Sequence, residues 1–222
     1  MQLAERYRPR QWSEVIAQDK AVSRLLAIRD RTGFGGRAFW ITGRTGTGKT
    51  TIARLIAAEV ADPFCTEEID AGQLTVDRLH EIERTMQLYG FGARNGRVWI
   101  INEAHGLRAQ TVRALKTILE PIPDHVVFCF TTTRAEEGLL FDGAEDARPL
   151  VGRCTPVALT TQGVAKSAGR WLREVAQAEG LDGKPEAAYV RLFNESGGSF
   201  REALQAIDAG AMLGNDTKGQ RE

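Results

Sequence analysis

No apolar run in this sequence approaches the roughly 18 residues that a membrane-spanning helix needs. The opening residues Met1-Gln2-Leu3-Ala4-Glu5-Arg6-Tyr7-Arg8 carry no apolar core of a secretory leader. No membrane partner is expected, and a cytoplasmic location is. Cysteine is scarce. Cys65, Cys129 and Cys154 are odd in number and widely spaced, which argues against a disulfide framework and against a zinc site. Neither sign of charge is in excess: Lys plus Arg and Asp plus Glu are each 29. That balance excludes a globally basic nucleic-acid binder but leaves room for a local basic patch. Internal repeats and low-complexity stretches are missing too.

What is present is a 222-residue chain, 42% hydrophobic, long enough for a large domain and a small one. Apolar residues Val22, Leu25, Leu26 and Ile28 recur at helical spacing between Asp19, a candidate N-cap, and Arg31. Ala38-Phe39-Trp40-Ile41-Thr42 reads as a buried strand, Val98-Trp99-Ile100-Ile101 as a second and Val126-Val127-Phe128-Cys129-Phe130 as another. A helix over 109–119 is stopped by Pro121 and Pro123. Continuous apolar strands alternating with helices predict a parallel sheet covered on both faces. After about Pro156 no further strand-like run is found. Helical patterns near 162–179, 185–195 and 199–213 follow instead, the last opened by a capping box of Ser199 and Glu202. The reading is an α/β domain over 1–158, a helical domain over 159–213 and a flexible tail over 214–222.

Residues 43–50 read Gly-Arg-Thr-Gly-Thr-Gly-Lys-Thr and match G-x-x-x-x-G-K-[ST] at every fixed position. The strand before and the helix after supply the required context. Glycines let the backbone wrap closely, so that amides of Thr45, Gly46, Thr47, Gly48, Lys49, Thr50 and Thr51 point at phosphate oxygens. The helix adds its positive N-terminal end. Gly43 opens the loop, Lys49 reaches the terminal phosphates, and the Thr50 hydroxyl reaches Mg²⁺. ATP and Mg²⁺ are thus the expected cofactors. The strand at 98–101 runs into Asn102-Glu103-Ala104-His105. Glu103 is placed to activate the attacking water, and Asn102 to support the metal through a bound water. An amide oxygen accepts a hydrogen bond there but brings no negative charge. His105, without partner ligands nearby, reads as a packing or hydrogen-bonding residue.

With these motifs in hand, the chain resembles the clamp-loader ATPases of the AAA+ class, that is, the gamma subunit of bacterial DNA polymerase III and the replication-factor-C proteins. The resemblance runs from about Glu5 to Met212. Glu5-Arg6-Tyr7-Arg8-Pro9-Arg10-Gln11-Trp12-Ser13-Glu14-Val15-Ile16-Ala17-Gln18 is similar to the family segment that contacts adenine, and it implies contacts from Tyr7, Arg8, Pro9, Val15 and Ile16. Trp12 and Ala17 depart from the usual Phe and Gly. Glu68-Ile69-Asp70-Ala71 resembles the next strand, and Asn102-Glu103-Ala104-His105 the D-E-x-H box. Thr131-Thr132-Thr133 resembles the position that reads the γ-phosphate, with Thr132 preferred over Thr133. Gly152-Arg153-Cys154 resembles S-R-C, which implies that Arg153 is an arginine finger acting on a neighbouring subunit. Gly197-Gly198-Ser199-Phe200-Arg201-Glu202-Ala203-Leu204 resembles the lid helix whose arginine, here Arg201, touches the γ-phosphate.

The fold implied is a phosphate-loop NTPase with a parallel five-stranded sheet flanked by helices, plus a small all-helical lid. The family's zinc cysteines are represented only by Cys65, so no zinc is expected. Lys116 sits one position out of the family register, and 134–151 is longer than usual and acidic. The chain ends after the lid, so the reading is of a chain without the family's collar domain. The resemblance implies a homo- or hetero-oligomer, with a sliding clamp and primer–template DNA as candidate partners. Candidate DNA contacts are Arg94, Arg97, Arg108, Gln110, Thr111 and Arg113. The function expected is ATP hydrolysis coupled to clamp loading in DNA replication. The alternatives are a weakly hydrolysing adaptor subunit, and another AAA+ remodelling ATPase such as a helicase loader or branch-migration motor.

Overall fold

The computed structural model describes residues 2–133 and 147–214. The helices are α1 (Leu3–Arg6), α2 (Asp19–Thr32), α3 (Lys49–Val60), α4 (Val76–Thr85), α5 (Ala109–Ile118), α6 (Ala147–Gly152), α7 (Ala165–Ala178), α8 (Glu186–Glu195) and α9 (Phe200–Asp208). The strands are β1 (Arg37–Thr42), β2 (Thr66–Asp70), β3 (Arg97–Asn102), β4 (Val126–Thr132) and β5 (Thr155–Ala158). All pair in parallel, in the order β2-β3-β4-β1-β5. The expected five-stranded parallel sheet is therefore present. β4 is buried at every position, as its continuous apolar run requires of a central strand. The tail from 215 and the acidic segment from 134 to 146 lie outside the described residues.

Two compact units are formed. The first comprises Lys20–Gly43 and Lys49–Leu159. Its sheet sends alternate side chains to opposite faces. Trp40, Trp99, Phe128 and Phe130 go to one face and meet Leu79 and Ile82 of α4 and Val112 and Leu115 of α5. The rings interlock there: Trp40 to Phe130 is 5.5 Å and Trp99 to Phe128 is 5.3 Å between centroids. α3 packs against β3 and β4 with Ile52 and Ile56 buried. The second unit holds Met1–Asp19, Arg44–Gly48 and Thr160–Glu222. Its core comprises Leu3 of α1, Leu172 and Val175 of α7, Tyr189 and Phe193 of α8, and Leu204 and Ile207 of α9.

The N-terminal residues 1–19 thus join the helices rather than the α/β domain assigned to 1–158. Leu3 is buried in the helical core. The Gln18 amide clasps both backbone polar groups of one residue: its Nε2 donates to the Thr160 carbonyl at 2.8 Å and its Oε1 accepts from the Thr160 amide at 3.0 Å. β5, which sequence patterning passes over, is a short edge strand with a proline and only Val157 fully buried. α9 ends at Asp208 rather than 213, because Gly210 at φ 83° turns the chain away. Its start is as expected for the Ser199 half of the capping box: Ser199 Oγ accepts from the Glu202 amide at 3.2 Å.

Tyr189 is fully buried and its hydroxyl donates to Asp182 Oδ1 at 2.7 Å. That bond is the first cause holding the Asp182 carboxyl below its ordinary range. Tyr189→Phe should lower stability by about 1 kcal/mol, read as a shift in urea midpoint at neutral pH. A carboxyl with a depressed native pKa stabilises above its unfolded value, about 3.9, and loses that stabilisation as pH falls through the native value. The cost of Tyr189→Phe should therefore shrink under acid below about pH 4.

Candidate nucleotide-binding site

The glycine loop leaves β1 and enters α3. Its turn is tied at the base, where the Thr47 hydroxyl donates to the Arg44 carbonyl at 2.8 Å and the Thr47 amide reaches the same oxygen at 3.3 Å. Gly46 and Gly48 have φ of 77° and 100°, where side chains other than glycine are strained. At Gly46 space matters as well. A Cβ there would lie 2.0 Å from Ser199 Oγ and 2.8 Å from Ser199 Cβ, while the Gly46 carbonyl accepts from the Phe200 amide at 3.2 Å. The loop tip and the first turn of α9 are thus packed backbone to backbone within one unit.

In the sheet unit, Lys49 is 6% exposed and its Nζ donates to the Gly43 carbonyl at 3.0 Å. A buried ammonium at the N-terminus of a twelve-residue helix concentrates positive potential at the loop. Thr50 follows, and its hydroxyl donates to Asn102 Oδ1 at 3.1 Å. The same oxygen accepts from the Thr131 hydroxyl at 3.0 Å. The Glu103 amide in turn donates to Thr131 Oγ1 at 3.4 Å. The C-terminal ends of β3 and β4 and the first turn of α3 are joined through one amide oxygen. This is the edge of a parallel sheet where ligands of open α/β folds bind.

Glu103 stands just past β3 with φ 53° and ψ 48°. A non-glycine residue in the left-handed region carries a cost of roughly 1 kcal/mol and marks functional turns. Its side chain is half exposed, and Oε2 lies 3.4 Å from His105 Nδ1. Thr132 is fully buried, with its hydroxyl 3.5 Å from the same His105 nitrogen. The hydroxyl on Asn102 is that of Thr131, while Thr132, the residue preferred from the sequence for reading the γ-phosphate, has its hydroxyl beside His105. The two strands pair Ile101 with Phe130. Asn102 and Thr131 come one step later on the same side of the sheet, so the strand register would have pointed to Thr131.

The other expected residues divide. Tyr7, in the helical unit, donates its hydroxyl to Glu179 at 2.7 Å and sits edge-on to Trp171 at 6.5 Å. Arg8 pairs with Glu5, and Pro9, Val15 and Ile16 are half-buried. Arg201 is exposed in the first turn of α9. Arg153 is held within the sheet unit by Glu120 and by the Pro149 carbonyl. Thr111 does not fit a DNA contact. It is 1% exposed, lies on the inward stripe of α5 with Val112 and Leu115, and donates to the Leu74 carbonyl at 3.1 Å. Arg97 donates to the carbonyls of Leu88 and Tyr89, and Arg94 lies 3.8 Å from Asp62. These two sit at the opposite end of β3 from Arg108, Gln110 and Arg113, which are exposed on and before α5. The six do not form one surface. Burial keeps Cys129 and Cys154 as neutral thiols, the latter with its pKa pushed up to about 12. Among the described residues no group of three or more His, Cys, Asp or Glu is placed to hold a metal.

Residues 39–141 match the model of the ATPase family associated with various cellular activities (AAA). The chain is 28% identical over 238 residues to the DNA polymerase III subunit gamma of Buchnera aphidicola subsp. Acyrthosiphon pisum, covering 96% of this chain and 62% of that protein. It is 27% identical to the replication factor C small subunit of Archaeoglobus fulgidus, covering 95% and 64% respectively. The chain is similar to clamp-loader AAA+ proteins along nearly its whole length. It spans less than two thirds of the length of either relative. Among solved structures the Thermotoga maritima RuvB Holliday junction branch migration motor superposes with a TM-score of 0.67 at 21% identity, over 91% of this chain and 64% of that one. At that identity the likeness is one of AAA+ fold.

The fit at the loop tip is open to measurement. Gly46→Ala should lower stability by about 2 kcal/mol, because it combines a strained φ with an overlap against Ser199. An unchanged thermal midpoint would mean that loop and helix are not packed as described.

Proposed function

We propose that this chain binds ATP with Mg²⁺ and hydrolyses it as one subunit of an AAA+ assembly that places a ring-shaped clamp on primer–template DNA. The observation that carries the reading is the shared oxygen of Asn102. By accepting the Thr50 proton, it leaves the lone pairs of that hydroxyl free for a cation beside the phosphate loop. The donor set fits a hard, oxygen-seeking ion: Thr50 Oγ1 would bind it directly, held in place by Asn102, whose Oδ1 already accepts from two hydroxyls. When bound, Mg²⁺ would neutralise charge on the transferring phosphate. The residues of the chain do the rest. Amides of the loop hold phosphate oxygens, and Lys49 gives up the Gly43 carbonyl for the terminal phosphates. Glu103 takes the proton of the attacking water, with His105 orienting its carboxylate. Tyr7, Arg8, Pro9, Val15 and Ile16 border the adenine, and Arg201 meets the γ-phosphate.

Arg153 serves a neighbouring subunit as a finger. In the isolated chain its guanidinium is engaged by Glu120, so the finger acts only when an assembled partner offers phosphate in exchange. A protein partner is supported by the surface. Four of the five exposed large hydrophobics among the described residues, Phe64, Leu88, Tyr89 and Phe91, lie on one stretch and beside it, where Cys65 Sγ accepts from the Phe91 amide at 3.3 Å. One observation favours a second reading, that of a slowly hydrolysing adaptor subunit: Asn102 supplies no charge where a carboxylate would hold the metal's waters more firmly.

Calorimetry with Mg²⁺ and ATP tests the core of the reading. Saturable binding is expected, and Lys49→Ala should weaken it by at least about tenfold, the worth of a charged hydrogen bond. An unchanged affinity in that variant would remove the phosphate-loop role. Glu103→Gln should keep binding and lower turnover by about 10²-fold or more. Turnover stimulated by clamp and primed DNA separates the loader from the adaptor, in which turnover stays at background.

A further inference from the structure

We propose that Thr131 is a positioning residue, whose hydroxyl fixes the Asn102 side chain with Oδ1 turned toward Thr50. The inference rests on the Mg²⁺–nucleotide reading above. A carboxylate at position 102 would present an oxygen whichever way its end group turned. An amide has one accepting end and one donating end, and only one orientation serves a cation site. With Oδ1 toward Thr50, the threonine proton is accepted and its lone pairs face outward. With Nδ2 there, the Thr50 hydroxyl must accept, and its proton turns toward the place a cation would take.

The hydrogen bonds run in one direction. The Glu103 amide donates to Thr131 Oγ1 at 3.4 Å, Thr131 donates to Asn102 Oδ1 at 3.0 Å, and Thr50 donates to the same atom at 3.1 Å. Thr131 is 1% exposed. Its proton therefore needs a partner inside the protein, because leaving it unmet forfeits a full hydrogen bond. Turning the Asn102 amide over would strip that proton of its acceptor, so burial of Thr131 enforces the productive orientation. The same hydroxyl holds the backbone of Glu103 in its left-handed turn. One buried hydroxyl on β4, the strand between β1 and β3, thus orders both the metal-side amide and the proposed base.

The test compares wild-type chain, Thr131→Val, Thr131→Ser, Asn102→Asp and the double variant Asn102→Asp/Thr131→Val. A fluorescent ATP analogue reads affinity with Mg²⁺ and with EDTA. The quantity compared is the tightening that Mg²⁺ brings. Thr131→Val should cut that tightening by about five- to tenfold, the range of one hydrogen bond, and leave the EDTA affinity within about twofold. Thr131→Ser, which keeps the hydroxyl, should restore it. Introduced on top of Asn102→Asp, Thr131→Val should change it by less than about twofold, because a carboxylate has no wrong orientation. Thr131→Ala replaces the valine variant if that protein does not fold. Equal loss from Thr131→Val with and without Asn102→Asp would overturn the proposal and leave a plain packing role. So would an unchanged Mg²⁺ effect in Thr131→Val. Wild-type chain that binds nucleotide indifferently to Mg²⁺ would sink this inference and the cation part of the proposed function, and leave nucleotide binding standing. Wild-type chain that binds no nucleotide at all would sink the proposed function as well.

Discussion

A single oxygen atom joins the first turn of α3 to the ends of β3 and β4. Asn102 Oδ1 takes the hydroxyl proton of Thr50 from the start of α3 and that of Thr131 from the end of β4. Position along the chain does not bring these residues together; the parallel stacking of β3, β4 and β1 does. The sheet can hold that register because β4 is buried throughout and its aromatic neighbours interlock on one face. Packing energy far from the site thus sets the separation of two hydroxyls on which the local chemistry depends.

Much of this was legible in the residues. The strands at β1, β3 and β4 announce themselves as unbroken apolar runs, because a strand covered on both faces has no polar side to show. The glycine loop was legible for a different reason. Positive φ at Gly46 and Gly48 and the lack of room at Gly46 leave few alternatives to glycine, so the pattern is written in residue type. The resemblance to clamp-loader ATPases came from motifs spread along nearly the whole chain, and the relatives it is similar to are of that kind.

What escaped depends on relations between segments. β5 carries a proline and one fully buried side chain, too little for a periodic signal, and it forms because β1 offers an open edge. The first nineteen residues read as part of the α/β domain, but Leu3 and Gln18 find their partners among residues after 159. Thr111 looked like one more polar residue on a surface helix, while the 3.6-residue stripe turns it inward. Thr131 and Thr132 are adjacent and chemically identical, and only the pairing of β3 with β4 tells which one meets Asn102.

The left-handed backbone at Glu103 has a consequence for durability. An asparagine or glycine at this turn would rest there with less strain, so the chain carries a small, permanent loss of robustness in keeping an acid at this place. A lineage selected only for persistence would shed it. A glutamate at that bend, where the backbone itself argues for something smaller, is what a requirement for a carboxylate would look like in a single torsion angle.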